Sequence, residues 1–486
     1  MDQFDRDTEN FVGWLSDVAH VKQSPKIAVR DLRDSNEGRA VIATDDIDND
    51  EMLFEIPFES LINIETSQIN NDYPGIQEKL AELGQWNGLV ICLLYEWECL
   101  GERSKWWPYM KVLPTSATLN GLMYWDEEQL DNLKPSLVLE RIGKEGAKRM
   151  YETVQAFVID NGMKDALGNV SWDDFLRVAS TIMSYSFDVE KTDENNEEEE
   201  EEDDENEQSA SLKSMVPFAD TLNADTHKCN AHLEYDKNSL RMCAIQPIKK
   251  GEQVYNIYGE HPNSEILRRY GYVELDGSAF DFGEVCMANI KESLKDKFEV
   301  DDKFIDWILE TLKDDDMIEK FFEDEEIVLD SYDCYISGEI LIELVLFLQI
   351  ASTFCIIPGI TTEDEVNRKS LLTRVTKKCI QLVENGMVTK SCSDVWQLAI
   401  RNRLSEYPDN CIEYEPDFAN EDDMNKIREG MAKVVLKSEC QALTVCLDSI
   451  NKQYKVIDDQ KLLNNIIKRE SEGDKDSQKS NKRQHR

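Results

Sequence analysis

Basic residues, histidine and ordered cysteine spacing are what this sequence has least of. Its 486 residues carry 54 Lys and Arg against 99 Asp and Glu, a formal net charge of −45. That balance argues against direct nucleic-acid binding, because a phosphate backbone asks for a basic surface. It favours a basic partner, whose encounter an acidic surface accelerates most at low salt. The same acidity also serves solubility. No Cys-x-x-Cys occurs, "KSCSDV" and "ECQALTVC" lack zinc-site spacing, and the five histidines do not cluster with them, so no metal site is expected. Scattered thiols behind the polar opening "MDQFDRDTEN" suit a reducing compartment rather than a secretory route. Long apolar runs are also scarce. The longest, residues 340–357, contains Glu343 and Gln349 and reads as a buried core helix rather than a membrane span.

What is present divides the chain by pattern. Hydrophobic residues make up 41% of it, enough for large cores, and the length favours two or three domains. An N-terminal helical segment is expected over 1–24. Short apolar stretches at "GRAVIATDDI" and "EMLFEIPFESLINI" read as strands. A helical insert follows over about 62–190, and strands return at "AHLEYDKNSLRMCAI", a hairpin turning between Asp236 and Ser239. The strands therefore belong to one β domain over 25–275 that the insert interrupts. Residues 193–207 hold twelve acidic side chains in fifteen, and a disordered acidic loop is expected over about 191–211. Amphipathic helices dominate 290–465, an all-α domain, and a polar tail over 470–486 is expected to be disordered.

The stretch "GEQVYNIYG", Gly251 to Gly259, reads as a turn, a short strand and a glycine stop. Tyr255 and Tyr258 stand three apart, so on a strand they face opposite ways. A tyrosine before a glycine is usually just a cap on a sheet. Here it is the third of an ordered set with "NEGRAVIATDDI" and "PFADTLNADTHKCNA", accompanied by "KWWPYMKVLP", "YWDEEQLDNL" and "IMSYSF". Order and content resemble the SET-domain protein lysine methyltransferases, in the subfamily of the Rubisco large-subunit methyltransferase. The resemblance covers about 25–275, and the helical remainder resembles that subfamily's substrate-binding domain.

The resemblance implies an α+β fold: a SET-domain β fold with a threaded, pseudoknot-like segment and a helical insert, followed by the all-α domain. It implies S-adenosyl-L-methionine as cofactor, with Tyr258 as the catalytic tyrosine. Cofactor binding falls to Glu37, Gly38, Arg39, Tyr185, Asn223, Ala224, Tyr258 and Tyr270. Trp106, Ser186, Asp220, Asn256 and Tyr272 stand at substrate-side positions, although Trp106 and Tyr272 could equally be plain core aromatics. Two departures stand out: Ala224 replaces the histidine of the family's Asn-His pair, and Ala40 replaces a second glycine after "EGR".

The expected activity is methylation, chiefly monomethylation, of a lysine on a basic ribosomal protein of the large subunit. The monomer is expected to act in the nucleus or cytoplasm without contact to nucleic acid or membrane. The competing reading is a catalytically weak SET scaffold that escorts a basic protein through its acidic surface.

Overall fold

In a computed structural model, the chain is described over residues 2–35, 37–168, 170–190, 211–313, 326–418 and 421–466. The acidic stretch 193–207 and the tail 470–486 lie outside the described residues, so their expected disorder finds neither support nor conflict. The chain divides into two compact units. The first comprises 1–131, 138–278 and 418–431; the second comprises 132–137, 279–417 and 432–486. The short exchange of 132–137 for 418–431 has no signal in composition.

The first unit opens with the helix Gln3–Asp17, capped by Asp2 accepting from the Asp5 backbone, with Phe11, Trp14 and Leu15 buried. Strands follow at β1 (Lys22–Gln23), β2 (Ile27–Leu32), β3 (Gly38–Ala43) and β4 (Met52–Pro57). β2 and β3 form an antiparallel pair in which Ala40 faces Arg30. Ala40 is fully buried, so its methyl packs into the core. The helices Gln85–Leu94, Lys144–Asp160 and Trp172–Tyr185 lie within the insert. They bury Leu89, Val154, Phe175 and Val178 in one hydrophobic cluster with Val41, Phe54 and Met242 of the strands.

β5 (Ser186–Glu190) and β6 (Ser211–Met215) pair antiparallel, with Glu190 opposite Ser211. They bracket the acidic stretch. β7 (Asn223–Ala224) is only two residues long, and β8 (Ala231–Asp236) and β9 (Ser239–Ala244) form the hairpin, turning at Lys237 and Asn238. The largest sheet runs β1-β4-β9-β8. Alternation along β8, with Ala231 and Leu233 buried and His232 and Glu234 exposed, is the period-2 pattern of a half-covered strand. β10 (Tyr255–Asn256) pairs parallel with β7.

The second unit is mostly helical. Its central helix, Ile342–Cys355, buries every residue from Leu344 to Phe354. Gln349, the polar residue in that apolar run, is satisfied: its Nε2 donates to the Thr353 and Thr389 hydroxyls at 2.7 and 3.1 Å, and its Oε1 accepts from the Thr389 backbone at 2.7 Å. A buried amide is tolerated on that condition. Among the described residues no helix is long and apolar enough to cross a membrane. Helical periodicity did not announce two small sheets here: β11 (Phe282–Cys286) with β12 (Ser331–Tyr335), and β13 (Met387–Thr389) with β14 (Lys455–Ile457).

Candidate active site

The site begins with a backbone pairing. β7 and β10 are parallel, with Tyr255 opposite Asn223 and Asn256 opposite Ala224. Parallel neighbours cannot be joined by a tight turn, and here the hairpin β8–β9 supplies much of the connection. The pairing sets the Asn223 side chain beside the turn before β3. Its Nδ2 donates to the Glu37 carbonyl at 3.1 Å and to Gln253 Oε1 at 2.7 Å. Gln253 Nε2 in turn donates to Glu37 Oε2 at 3.1 Å, and the Tyr255 hydroxyl donates to Glu37 Oε1 at 3.2 Å. Glu37 is thus held at both its carbonyl and its carboxylate. Gln253 and Tyr255 were not among the expected site residues; the strand ends at Asn256, so Tyr258 lies beyond it and strand alternation does not decide how the two tyrosines face.

A cavity of about 610 Å³ opens over this turn, lined among others by Glu37, Gly38, Arg39, Tyr185, Asn223 and Tyr258. Gly38 has φ +64°, and a Cβ there would meet nothing within 4 Å. Glycine is therefore required by conformation, and it leaves backbone open to the cavity. Arg39 reaches to the N-terminal helix: its Nε donates to Thr8 Oγ1 at 2.8 Å and its guanidinium lies 3.9 Å over the Phe4 ring. Burial lowers its pKa. Among the described residues it has no carboxylate partner within 4.0 Å.

A second cavity of about 690 Å³ is lined among others by Ser186, Asn256 and Tyr270. Tyr185, Asp220 and Tyr258 line both cavities. The two spaces meet at these three side chains. The Tyr258 hydroxyl donates to the Leu222 carbonyl at 2.8 Å, and the Tyr270 hydroxyl donates to the Tyr258 carbonyl at 3.2 Å. Tyr270 and Tyr272 surround the Tyr258 ring at centroid separations of 4.9 and 6.5 Å, the latter nearly perpendicular at 88°. Burial drives the Tyr258 hydroxyl well above its ordinary pKa and pushes that of Tyr185 up to about 12. Both are neutral donors at physiological pH.

Gly259 explains why the tyrosine precedes a glycine. Its φ is +142°, and a Cβ would stand 2.6 Å from His261 Nε2. The chain turns sharply with an imidazole against the bare backbone.

Asp220 occupies a short 3-10 turn, Ala219–Thr221. Phe218, just before it, has φ +85°, a costly conformation for a bulky residue. The Phe218 ring packs 4.4 Å from that of Phe54, which holds the strained residue in place. Tyr109 donates its hydroxyl to Asp220 Oδ2. Burial raises the Asp220 carboxyl to about 7, against the opposing pull of the Tyr109 hydrogen bond.

The expected residues divide as follows. Glu37, Gly38, Arg39, Tyr185, Asn223 and Tyr258 gather on the first cavity, and Ser186, Asp220, Asn256 and Tyr270 on the second. Ala224 lies in the paired strand, and Tyr272 stands behind Tyr258. Trp106 is a correction. It is fully buried, with Nε1 donating to the Ser60 carbonyl at 2.7 Å, and it lines neither cavity. Three residues on, Tyr109 takes the place facing Asp220. Among the described residues no group of three or more His, Cys, Asp or Glu could hold a metal ion.

Comparison with known proteins places this geometry. The SET domain pattern matches residues 38–259. The ribosomal lysine N-methyltransferase 4 of Saccharomyces cerevisiae is 50% identical over 477 residues, covering 96% of this chain and 97% of its own. Its namesake in Schizosaccharomyces pombe is 30% identical over 336 residues, covering 57% of this chain and 69% of its own. Rubisco LSMT solved with AdoMet matches with a TM-score of 0.62 at 17% identity, over 94% of this chain and 95% of that one. That likeness speaks to the fold. With 50% identity to the yeast enzyme over nearly the whole of both chains, and the matched pattern spanning both strands of the parallel pair β7–β10, the chain belongs to the SET-domain family.

Proposed function

We propose that this protein is an S-adenosylmethionine-dependent protein-lysine N-methyltransferase that adds one methyl group to a lysine of a basic ribosomal protein of the large subunit. The observation that carries the reading is the junction of two cavities at Tyr258, Asp220 and Tyr185. A group transfer between two reactants entering from different sides needs that arrangement.

The first cavity fits the cofactor by its donor set. Open backbone at Gly38, the polar Glu37 and Asn223 and the acid-free Arg39 suit a molecule bearing an adenosine and an amino-acid carboxylate. When bound, the cofactor supplies an electrophilic methyl on a sulfonium. In the second cavity Tyr185, Tyr258 and Tyr270 present their rings to an entering lysine chain, with Tyr272 packed behind Tyr258. The amine must be neutral to attack, and at pH 7 deprotonating a free lysine costs about 4.6 kcal/mol. Aromatic walls lower that cost by desolvation. Asp220, raised to about 7, is placed to accept the released proton. As the new C–N bond forms and the C–S bond breaks, the neutral Tyr258 hydroxyl, fixed by Leu222, holds the reacting atoms in line.

The yeast relative's name and the acidity of the chain support the ribosomal substrate; Tyr272, crowding Tyr258, supports a single methyl. A monomer acting in the nucleus or cytoplasm completes the reading. Labelled S-adenosylmethionine with fractionated cell protein tests it. One labelled ribosomal protein of the large subunit is expected. Labelling of histones alone would sink the substrate assignment, and failure of calorimetry to detect cofactor binding would leave a non-catalytic scaffold.

A further inference from the structure

The N-terminal helix Gln3–Asp17 precedes the SET pattern matched at 38–259, yet it reaches the first cavity. Phe4 lines that cavity beside Arg33 and Arg39. Phe4 and Thr8 stand one helical turn apart on the same face, and both meet the Arg39 guanidinium. Arg39 Nε donates to Thr8 Oγ1 at 2.8 Å, Nη2 to the Phe4 carbonyl at 3.4 Å and Nη1 to the Val112 carbonyl at 3.3 Å. The Thr8 hydroxyl directs its own proton to the Phe4 carbonyl at 2.7 Å, which leaves its lone pairs for Arg39.

The helix is fastened on both sides of this contact. Asp2 pairs with Arg33 Nη2 at 2.9 Å, and Trp14 Nε1 donates to the Lys105 carbonyl at 2.6 Å. Phe11 and Leu15 are buried in the core of the unit. Phe4 and Thr8 therefore present a fixed surface to Arg39.

Charge distinguishes the two arginines at the Phe4 ring, where Arg33 and Arg39 lie 4.0 and 3.9 Å from its centroid. Arg33 is neutralised by Asp31 at 2.6 Å and Asp2 at 2.9 Å. Arg39 has no such carboxylate among the described residues, and Asp7 acts on it only from longer range. The acids of the cavity wall are engaged elsewhere: Glu37 accepts from Gln253 and Tyr255, and Asp220 from Tyr109. An anionic group on the ligand completes Arg39, and a planar carboxylate matches the guanidinium fork.

We propose that Phe4 and Thr8 are positioning residues that hold the Arg39 guanidinium on the cofactor cavity, where it pairs with the carboxylate at the amino-acid end of the cofactor. The inference rests on the cofactor reading of that cavity. It makes the N-terminal helix a working part of the binding site.

The test compares S-adenosylmethionine with its decarboxylated form, which keeps the adenosine, sulfonium and amine and lacks only the carboxylate. Both are titrated by calorimetry into the full chain and into Thr8→Val, Thr8→Ser, Phe4→Leu and Arg39→Gln variants. Thr153→Val is the control, a helical threonine whose hydroxyl makes only a back-bond, to the Arg149 carbonyl at 2.9 Å. Wild type and control are expected to prefer the carboxylated form. Thr8→Val should lose about fivefold in affinity for S-adenosylmethionine, the scale of one hydrogen bond to a charged group, with its affinity for the decarboxylated form unchanged. Phe4→Leu should act in the same direction, and Thr8→Ser, which keeps the hydroxyl, should retain the preference. Arg39→Gln should abolish the preference, and Thr8→Val added to it should change neither affinity further.

A helix that only stabilises the fold would lower both affinities together. That result, or an unchanged preference in Thr8→Val, overturns the proposal. Wild-type binding without a preference for the carboxylate also overturns it and leaves the cofactor reading standing. Binding of neither form by the wild type removes the cofactor reading and this inference with it.

Discussion

The Tyr258 hydroxyl donates to the Leu222 carbonyl across 2.8 Å, joining the turn after β10 to the segment that runs into β7. The same bond aims the phenol at the junction of the two cavities. Tyr258→Phe removes the hydroxyl and keeps the ring. The expected outcome is a loss of turnover of about 10²-fold or more, the scale of removing one preorganised donor. Calorimetric affinity for S-adenosylmethionine should change little, because Glu37, Gly38 and Asn223 still line that cavity.

Asn223 bears on the other property. Asn223→Ala deletes two hydrogen bonds, to the Glu37 carbonyl and to Gln253, and so loosens the turn over the cofactor cavity. A loss of about 1.4 kcal/mol, tenfold in affinity, is the expected scale. Titration of the cofactor into the variant measures it directly, and unchanged affinity would remove Asn223 from the binding site.

Protonation of Asp220 links activity to stability. Its carboxyl is raised from 3.8 to about 7 by burial. Between those values the native state keeps a proton that the unfolded chain has released, so stability is full below about pH 4 and falls as pH rises through 7. At about 1.36 kcal/mol per unit the loss approaches ~4 kcal/mol. Glu439 of the second unit, raised from 4.5 to about 7 by burial, acts in the same direction. Denaturant melts from pH 4 to 8 should show the decline. Asp220→Asn should flatten part of it while slowing methyl transfer, and Asp220→Asn with Glu439→Gln should flatten more.

Gly259 and Gly38 give a contrast in kind. Gly38→Ala is strained by φ alone, at about 1–2 kcal/mol. Gly259→Ala adds a collision with the His261 imidazole and displaces Tyr258, so both stability and turnover should fall further. Adding His261→Ala should recover part of the loss only in the Gly259→Ala background. Equal behaviour in both backgrounds would dismiss the imidazole contact.

Tyr272 lies 6.5 Å from Tyr258, edge to face. If its hydroxyl restricts the space for a second methyl, Tyr272→Phe should raise the rate of dimethyl formation about fivefold, the worth of roughly one hydrogen bond. Mass spectrometry of the product lysine over a time course reads it, and abundant trimethyl product from the unaltered protein would refute the restriction.

The sequence disclosed the site unevenly, for physical reasons. Glu37, Asn223 and Tyr258 were readable because they sit in short motifs whose order could be recognised. The hairpin β8–β9 was readable because its pairing is local and its alternation clean. Tyr109 was not, although it lies in the same short stretch as Trp106 and Trp107. Three neighbouring aromatics look alike in sequence, and only the partners that folding brings, Ser60 for Trp106 and Asp220 for Tyr109, decide which of them meets the site. Gln253 escaped notice because an exposed turn amide and a buried relay amide look alike until their partners, Glu37 and Asn223, come from far along the chain. The β11–β12 pair was hidden among helical periodicities because its strands are five residues each and separated by two helices' worth of sequence.

The shared wall of Tyr185, Asp220 and Tyr258 also governs traffic. On the proposed assignment of one cavity to the cofactor and the other to the lysine, spent cofactor can be exchanged while the protein substrate stays seated, so dwell time and exchange time compete to set the modification pattern. An inhibitor filling one doorway need not compete with the other reactant. A molecule bridging both must pass between these three side chains, where its linker rather than its ends would decide selectivity.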